Sequence, residues 1–330
     1  MNLPVNIVFC CDDAYADKLA VAAYSLLRSN PSSVALFVID CGISEKNKQL
    51  VYSLQTKCHN LVSVVFKNPD RIACFDNFPV SPWFSSAIFY RLAIPEIFPD
   101  IARAIYLDCD VIVNADITEL WHTDLGNCSF SALNDEGNFL LSEDAERRKK
   151  VAGIPLNRIY MSSGVLLLDS QKFVESRILE RVIEVIKNHH GALVCPEQDA
   201  LNICIGEDEY VPLDPRFNFT PFANLAKKRI REGIVPAIIH YSCMKPWTFN
   251  RKLVDWLYKS HLFRYELGFI KKYWHYSDDI DPNGYSAQTV KVTIKALYKR
   301  VFGPIEYFVA KKVRNKIIRI FRCFLQKRRG

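Results

Sequence analysis

The stretch RAIYLDCDVIV, residues 103–113, constrains the fold more than any other in the chain. Its apolar side chains fall on both faces of an extended segment, which implies a strand covered on both sides, as inside a mostly parallel sheet. Two carboxylates, Asp108 and Asp110, interrupt that run. Strand side chains alternate between faces, so both acids are expected to project from one side and Cys109 from the other. Like charges at that spacing repel unless a cation lies between them. A divalent metal is the simplest solution, and hard Mg²⁺ or Mn²⁺ suits carboxylates together with phosphate oxygens. The plainer alternative puts both aspartates in a loop just past the strand end, solvated or capping the next turn. Yet the C-terminal end of a central strand is where open α/β sheets bind ligands.

The flanking sequence fits such a sheet. VNIVFCC, VALFVID and VSVVFK read as strands, separated by a helical stripe at Leu19, Ala22, Ala23 and Leu26 and by a helix, SEKNKQLVYSLQTKC, opened by Ser44. This is the β-α-β-α-β half of a nucleotide-binding sheet. Further on, SFSALND, SSGVLLLD and AIIHYS read as strands, QKFVESRILERVIEVIKNHH as one long helix and PEQDALNICIG as a short one, with CMKPW as a turn. The expected fold class is α/β with a mostly parallel sheet. Residues 276–287, YSDDIDPNGYSA, gather turn formers and read as a linker. The organisation expected is a catalytic domain over 1–275, that linker, and a tail over 288–330.

Composition decides the compartment and the partners. A hydrophobic fraction of 49% with 24% charged residues describes a folded chain, and 330 residues suffice for one main domain and an appendage. The start, MNLPVNIVFCCDDAYADKL, lacks a signal-peptide pattern, and no stretch reaches the roughly 18–20 apolar residues that span a bilayer. The 11 cysteines are scattered without a C-x-x-C pair, which favours reduced thiols in the cytoplasm over disulfides or zinc. The net charge of +7 belongs to one segment: from Lys291 to Arg329 about every third residue is basic and Glu306 is the only acid.

Two enzyme families share parts of this pattern. An apolar strand followed by D-x-D-x-V resembles the nucleophile motif of haloacid dehalogenase-like phosphatases, which would make Asp108 a metal-assisted phosphoryl acceptor. That family opens its chain with the motif, whereas here a complete β-α-β-α-β half precedes it.

More of the chain agrees with another family. FCCDDAYA, YRLAIPEIFPDIARAIYLDCDVIV, ITELWHTDLG, YMSSGVLLLD, PEQDALN, RFNF and HYSCMKPW stand in the order seen in glycosyltransferase family 8. Over residues 5 to about 260 the chain resembles that family, in particular its bacterial lipopolysaccharide and lipooligosaccharide glucosyl- and galactosyltransferases. The resemblance implies a GT-A fold, a UDP-sugar donor and transfer with retention of anomeric configuration. It also implies Mn²⁺, with Mg²⁺ as the alternative, held by Asp108, Asp110 and His240, the imidazole favouring Mn²⁺. Lys245 would reach the same diphosphate as a point charge. Asp12, Asp13 and Tyr15 would form the nucleotide pocket, although Asp13 or Asp17 could equally cap the next helix. Arg91 would lie near the donor sugar or else pair with Glu96, and Asp135 would touch donor or acceptor sugar. Ser162 would line the donor site where many relatives carry Asn. Gln198 would sit below the anomeric carbon, with Asp199 and Glu197 as further contributors or as helix caps. A neutral amide is a poor nucleophile, so a front-face mechanism is expected, in which the departing UDP oxygen deprotonates the acceptor. Ala14, Ser162 and a shortened loop at Ser242, Cys243 and Met244 depart from the family pattern.

In the tail, Val309, Val313, Ile317, Ile320 and Phe324 recur at helical spacing against Lys311, Lys312, Arg319 and Arg322. That pattern suits a helix lying on an anionic membrane surface. RNA is the rival partner, and nucleic acid is not expected because no RNA-binding motif accompanies the segment. The sequence thus points to a bacterial enzyme, peripheral on the inner face of the cytoplasmic membrane, acting on a lipid-anchored oligosaccharide. A non-catalytic membrane or RNA adaptor on a degenerate fold is the alternative outside enzymes.

Overall fold

β-branched and aliphatic runs bounded by turn residues build the sheet as expected. A computed structural model describes residues 3–69, 75, 78, 85–134, 143–189, 193–221, 226–242, 245–249, 251–259 and 264–281. Asp135, the end of the linker and the basic tail lie outside the described residues.

The main sheet has seven strands in the order β3-β2-β1-β4-β7-β6-β8. They run β1 Val5–Cys11, β2 Val34–Asp40, β3 Leu61–Lys67, β4 Arg103–Leu107, β6 Phe130–Asn134, β7 Met161–Asp169 and β8 Val211–Pro212. β1, β2, β3 and β4 pair in parallel, as do β6 and β8, and β7 alone runs against its neighbours β4 and β6. The α/β, mostly parallel expectation therefore holds. β5 Val111–Val113 and β9 Ile238–His240 form a separate antiparallel pair.

Helix Ala16–Ser29 buries the stripe read from sequence, with Leu19, Ala22, Ala23 and Leu26 all at 0% exposure. It also holds β5, because the Ser25 hydroxyl accepts from the Val113 amide and the Ser29 hydroxyl donates to the Val113 carbonyl. A second apolar layer, with Phe75, Phe89, Leu92, Ile94, Tyr106 and Leu166, covers β1, β4 and β7.

Three sequence readings are corrected. RAIYLDCDVIV is two strands in two sheets: after Leu107 the Asp108 amide still donates to the Gly164 carbonyl (2.9 Å), then a turn at Cys109–Asp110 redirects the chain into β5. The turn buries Cys109 and takes both carboxylates out of the strand ladder, with Asp110 still buried at 6% exposure. The long helix is Ser170–Glu175 and Ile178–Asn188, broken at Arg177, whose φ of 50° is left-handed. Tyr276–Ile280 continue helix Arg264–Ile280 instead of opening a linker.

Compactness divides the chain into one unit of Met1–Cys243 with Tyr276–Ile280, and another of Met244–His275 with Asp281–Gly330. In the second unit, helix Arg251–Lys259 carries Asp255, which pairs with Lys271. There the Trp274 indole donates to the Pro246 carbonyl at 3.1 Å.

Candidate active site

The site grows from the place where β4 leaves the main sheet. Asp108 precedes the turn and Asp110 lies in it, and β9 brings His240 opposite Val111. His240 Nε2 stands 3.2 Å from Asp110 Oδ1 and 3.6 Å from Asp108 Oδ2. Ligands of one divalent ion bound at about 2.1 Å stand about 3–4 Å apart, so the three side chains fit a shared ion. They are the one such group of His, Cys, Asp or Glu among the described residues.

Backbone contacts fix each member. The Tyr241 amide donates to the Asp110 carbonyl at 2.9 Å, and the His240 amide to the Phe219 carbonyl at 2.8 Å. His240 Nδ1 lies 2.8 Å from Asn218 Oδ1, and the Asn218 amide donates to the Ser162 hydroxyl at 3.3 Å. Gly164 makes the approach sterically feasible. A Cβ there would lie 2.2 Å from His240 Cε1 and 2.8 Å from Asp108 Oδ2, so any side chain would drive the group apart.

β7 carries a bulge at this point. Leu166 pairs with Ala132, yet the next pair is Ser162 with Leu133, leaving Ser163, Gly164 and Val165 without partners on β6. The Ser163 amide donates instead to Gln198 Oε1 at 2.9 Å, and the Ser163 hydroxyl reaches the same oxygen at 3.2 Å. Gln198 Nε2 donates to the Tyr160 hydroxyl at 3.1 Å, so both ends of its amide are held.

Arg91 is 7% exposed and supplies the countercharge. Its Nη2 is 3.0 Å from Asp108 Oδ1, which also accepts from the Tyr106 hydroxyl at 2.7 Å. Nη1 is 3.8 Å from Glu197 and donates to the Ser163 carbonyl at 3.2 Å. Burial works against the guanidinium charge, but Asp108, Tyr106 and Glu197 outweigh it and raise the Arg91 pKa. Burial pushes the Glu197 carboxyl up, against the opposing pull of Arg91. Arg91 therefore pairs with Asp108 and Glu197, and the expected alternative with Glu96 is replaced.

Asp199 has a different setting. Its Oδ1 accepts from Tyr160 at 2.5 Å and its Oδ2 from the amides of Val194 and Cys195 at 2.8 and 3.0 Å. The carboxylate fastens the start of helix Pro196–Cys204, close to the capping alternative read from sequence.

The first βα turn is exposed. Asp12 caps the short 3-10 helix Asp13–Tyr15 by accepting from the Ala14 amide at 3.1 Å, so Asp12 takes the capping role weighed for Asp13 or Asp17. Asp13 accepts from the Ser44 amide at 2.7 Å and from Asn47 at 2.8 Å, bonds that hold its carboxyl below the usual range. The Tyr15 ring is 36% exposed. Lys245 belongs to the second unit, its Nζ 5.9 Å from the Trp247 ring centre.

Three participants went unassigned in the sequence: Asn218, Gly164 and Ser163. Asn218 and Gly164 lie inside strings already singled out, RFNF and YMSSGVLLLD, but polarity and size alone gave them no role.

The chain is similar in sequence and fold to known proteins. The family model for glycosyl transferase family 8 matches residues 6–251. General stress protein A of Bacillus subtilis is 32% identical over 265 residues, covering 75% of this chain and 89% of its own. The lipopolysaccharide 1,2-glucosyltransferase of Escherichia coli K12 is 24% identical over 254 residues, covering 74% and 72%. Among solved structures, the galactosyltransferase LgtC in complex with donor and acceptor sugar analogs superposes with a TM-score of 0.66 at 27% identity, covering 83% of this chain and 96% of that one.

Proposed function

The chain belongs to glycosyltransferase family 8, and from that premise we propose that it moves glucose or galactose from a UDP-sugar to a lipopolysaccharide or lipooligosaccharide core acceptor with retention. The observation that carries this reading is the convergence of Asp108, Asp110 and His240 from two sheets onto one ion-sized space. The family and this donor set suggest a divalent metal and a nucleotide-sugar donor. One imidazole beside two carboxylates favours Mn²⁺ over Mg²⁺.

Held by Asp108, Asp110 and His240, a divalent ion would supply positive charge to offset that of the departing diphosphate. The remaining work falls to this chain's side chains. Arg91 holds the Asp108 carboxylate in place through Oδ1, the oxygen other than the one nearest His240. Gln198, its amide fixed at both ends, supports positive charge developing at the anomeric carbon without attacking it. The acceptor oxygen then forms its bond to that carbon on the face from which the phosphate oxygen leaves, and the acceptor proton passes to that oxygen. Asp199, its oxygens engaged, positions the Gln198 helix. Asp12, Asp13 and Tyr15 receive the uridine, Tyr15 stacking on the base; Ser162 lines the donor site and Asp135 contacts sugar.

The family match displaces the reading of Asp108 as a phosphohydrolase nucleophile. No described helix is long and apolar enough to cross a membrane. The cationic segment Lys291–Arg329 brings the enzyme to the cytoplasmic face of an anionic membrane, where lipid-anchored acceptors lie. Truncation after Asp281 abolishes binding to anionic vesicles and leaves slow donor hydrolysis; unchanged binding removes the tail from this account. The experiment for the main proposal is UDP release from a panel of UDP-sugars with Mn²⁺ and with chelator. Metal-dependent release from UDP-glucose or UDP-galactose supports it. Silence across the panel, with no UDP binding by calorimetry, leaves the adaptor.

A further inference from the structure

An imidazole can give a cation only a nitrogen that carries no proton. In His240 that choice lies with residues that do not face the ion. Nε2 points toward Asp110 and Asp108, while Nδ1 lies 2.8 Å from the Asn218 amide oxygen. Both Asn218 and His240 are buried, at 1% and 4% exposure, so water does not compete for Nδ1. An oxygen at that position accepts, and so keeps a proton on Nδ1 and leaves Nε2 as the nitrogen available to an ion. The opposite amide orientation would donate to Nδ1, move the proton to Nε2 and turn that nitrogen into a donor to Asp110. The metal space would then be closed by a hydrogen bond.

We propose that Asn218 is the positioning residue that holds His240 in its Nδ1-protonated form, and that Ser162 sets the Asn218 amide for this task. Ser162 Oγ accepts from Asn218 Nδ2 at 3.3 Å, an arrangement consistent with the amide oxygen facing the ring. The backbone supports the same geometry. The Phe219 amide donates to the Ile238 carbonyl at 2.9 Å and the His240 amide to the Phe219 carbonyl at 2.8 Å, so Asn218 is clamped beside β9. A neutral acceptor also has a chemical advantage over an acid here. It fixes the tautomer without adding a further negative charge to a centre that already has Asp108 and Asp110 and must release its products.

This inference rests on the proposed metal centre, and its test separates the two. In metal-free protein labelled with ¹⁵N-histidine, the His240 ring, identified by its loss in His240→Gln, carries a proton on Nδ1, whether or not Nε2 is also protonated toward Asp110; a ring protonated on Nε2 alone overturns the inference. Titration with Mn²⁺, alone and with UDP, then compares variants of unchanged circular dichroism. Asn218→Ala weakens Mn²⁺ binding by about 10–100-fold, the usual cost of losing such a partner. Asn218→Asp, which retains an acceptor, binds at least as tightly as the parent. Equal binding by Asn218→Ala, or equal loss in Asn218→Asp, overturns the role of Asn218 while leaving the metal centre intact. Failure of the parent protein to bind Mn²⁺ even with UDP removes the metal centre and this inference together.

Discussion

The turn after β4 and the turn after β1 lie at neighbouring strand ends and are built by opposite means. The first is determined from afar: Arg91, Gly164, Asn218 and His240 come from separate parts of the chain, and all of these side chains are buried or replaced by hydrogen. The second is determined locally. Asp12 caps its own 3-10 helix, Asp13 ties to the following loop, and Tyr15 is exposed. Groups locked before binding lose little entropy when ligand arrives, whereas exposed ones must be ordered. On the proposed function, catalytic precision belongs to the first turn and adjustable affinity to the second.

The largest effect expected from breaking this contrast comes from Asp110→Ala or His240→Ala. Either lowers metal-dependent UDP release by about a thousandfold, since a metal contributes several kcal/mol to the transition state; a loss below tenfold would make both turns alike. Gly164→Ala comes next. Its new methyl group displaces His240, and a misplacement of that size costs about a hundredfold in kcat, with Mn²⁺ affinity falling in parallel. Tyr15→Ala sharpens the contrast from the other side: KM for the donor rises about tenfold while kcat stays within about twofold, the signature of lost uniform binding. The smallest effect concerns Glu197. Burial raises its carboxyl in the folded chain above the ordinary 4.5, so the native state binds more protons than the unfolded one. Stability then falls as pH rises from about 4.5 toward the raised value. Glu197→Gln lacks that decline, and chemical denaturation at pH 4 and 7 measures the difference.

The sequence disclosed the local half of this molecule well. Alternating strands and helices predicted the sheet, and the apolar run around Asp108 located its C-terminal edge. What it concealed was long-range. Nothing in RAIYLDCDVIV says that its last residues pair with β9, because a buried strand and two buried strands joined by a turn have the same hydrophobic pattern. Arg91 offered Glu96 as a near neighbour in sequence, but the partners that raise its pKa are Asp108, Tyr106 and Glu197, brought in from other elements. Asn218 and Ser163 act through an amide and a backbone N–H, groups with no formal charge to draw notice.

The bulge in β7 has a consequence for how such an enzyme can vary. Ser163, Gly164 and Val165 escape pairing with β6, and that slack delivers an amide to Gln198 and a bare α-carbon to His240. Deleting one residue there would still leave two without partners on β6 while turning every side chain beyond it to the opposite face. Apart from Gly164, where no side chain fits, this segment should therefore tolerate substitution better than insertion or deletion. Length changes that alter acceptor choice in descendants of this chain must accumulate in the loops around the bulge, while the spacing from Ser162 to Leu166 stays constant.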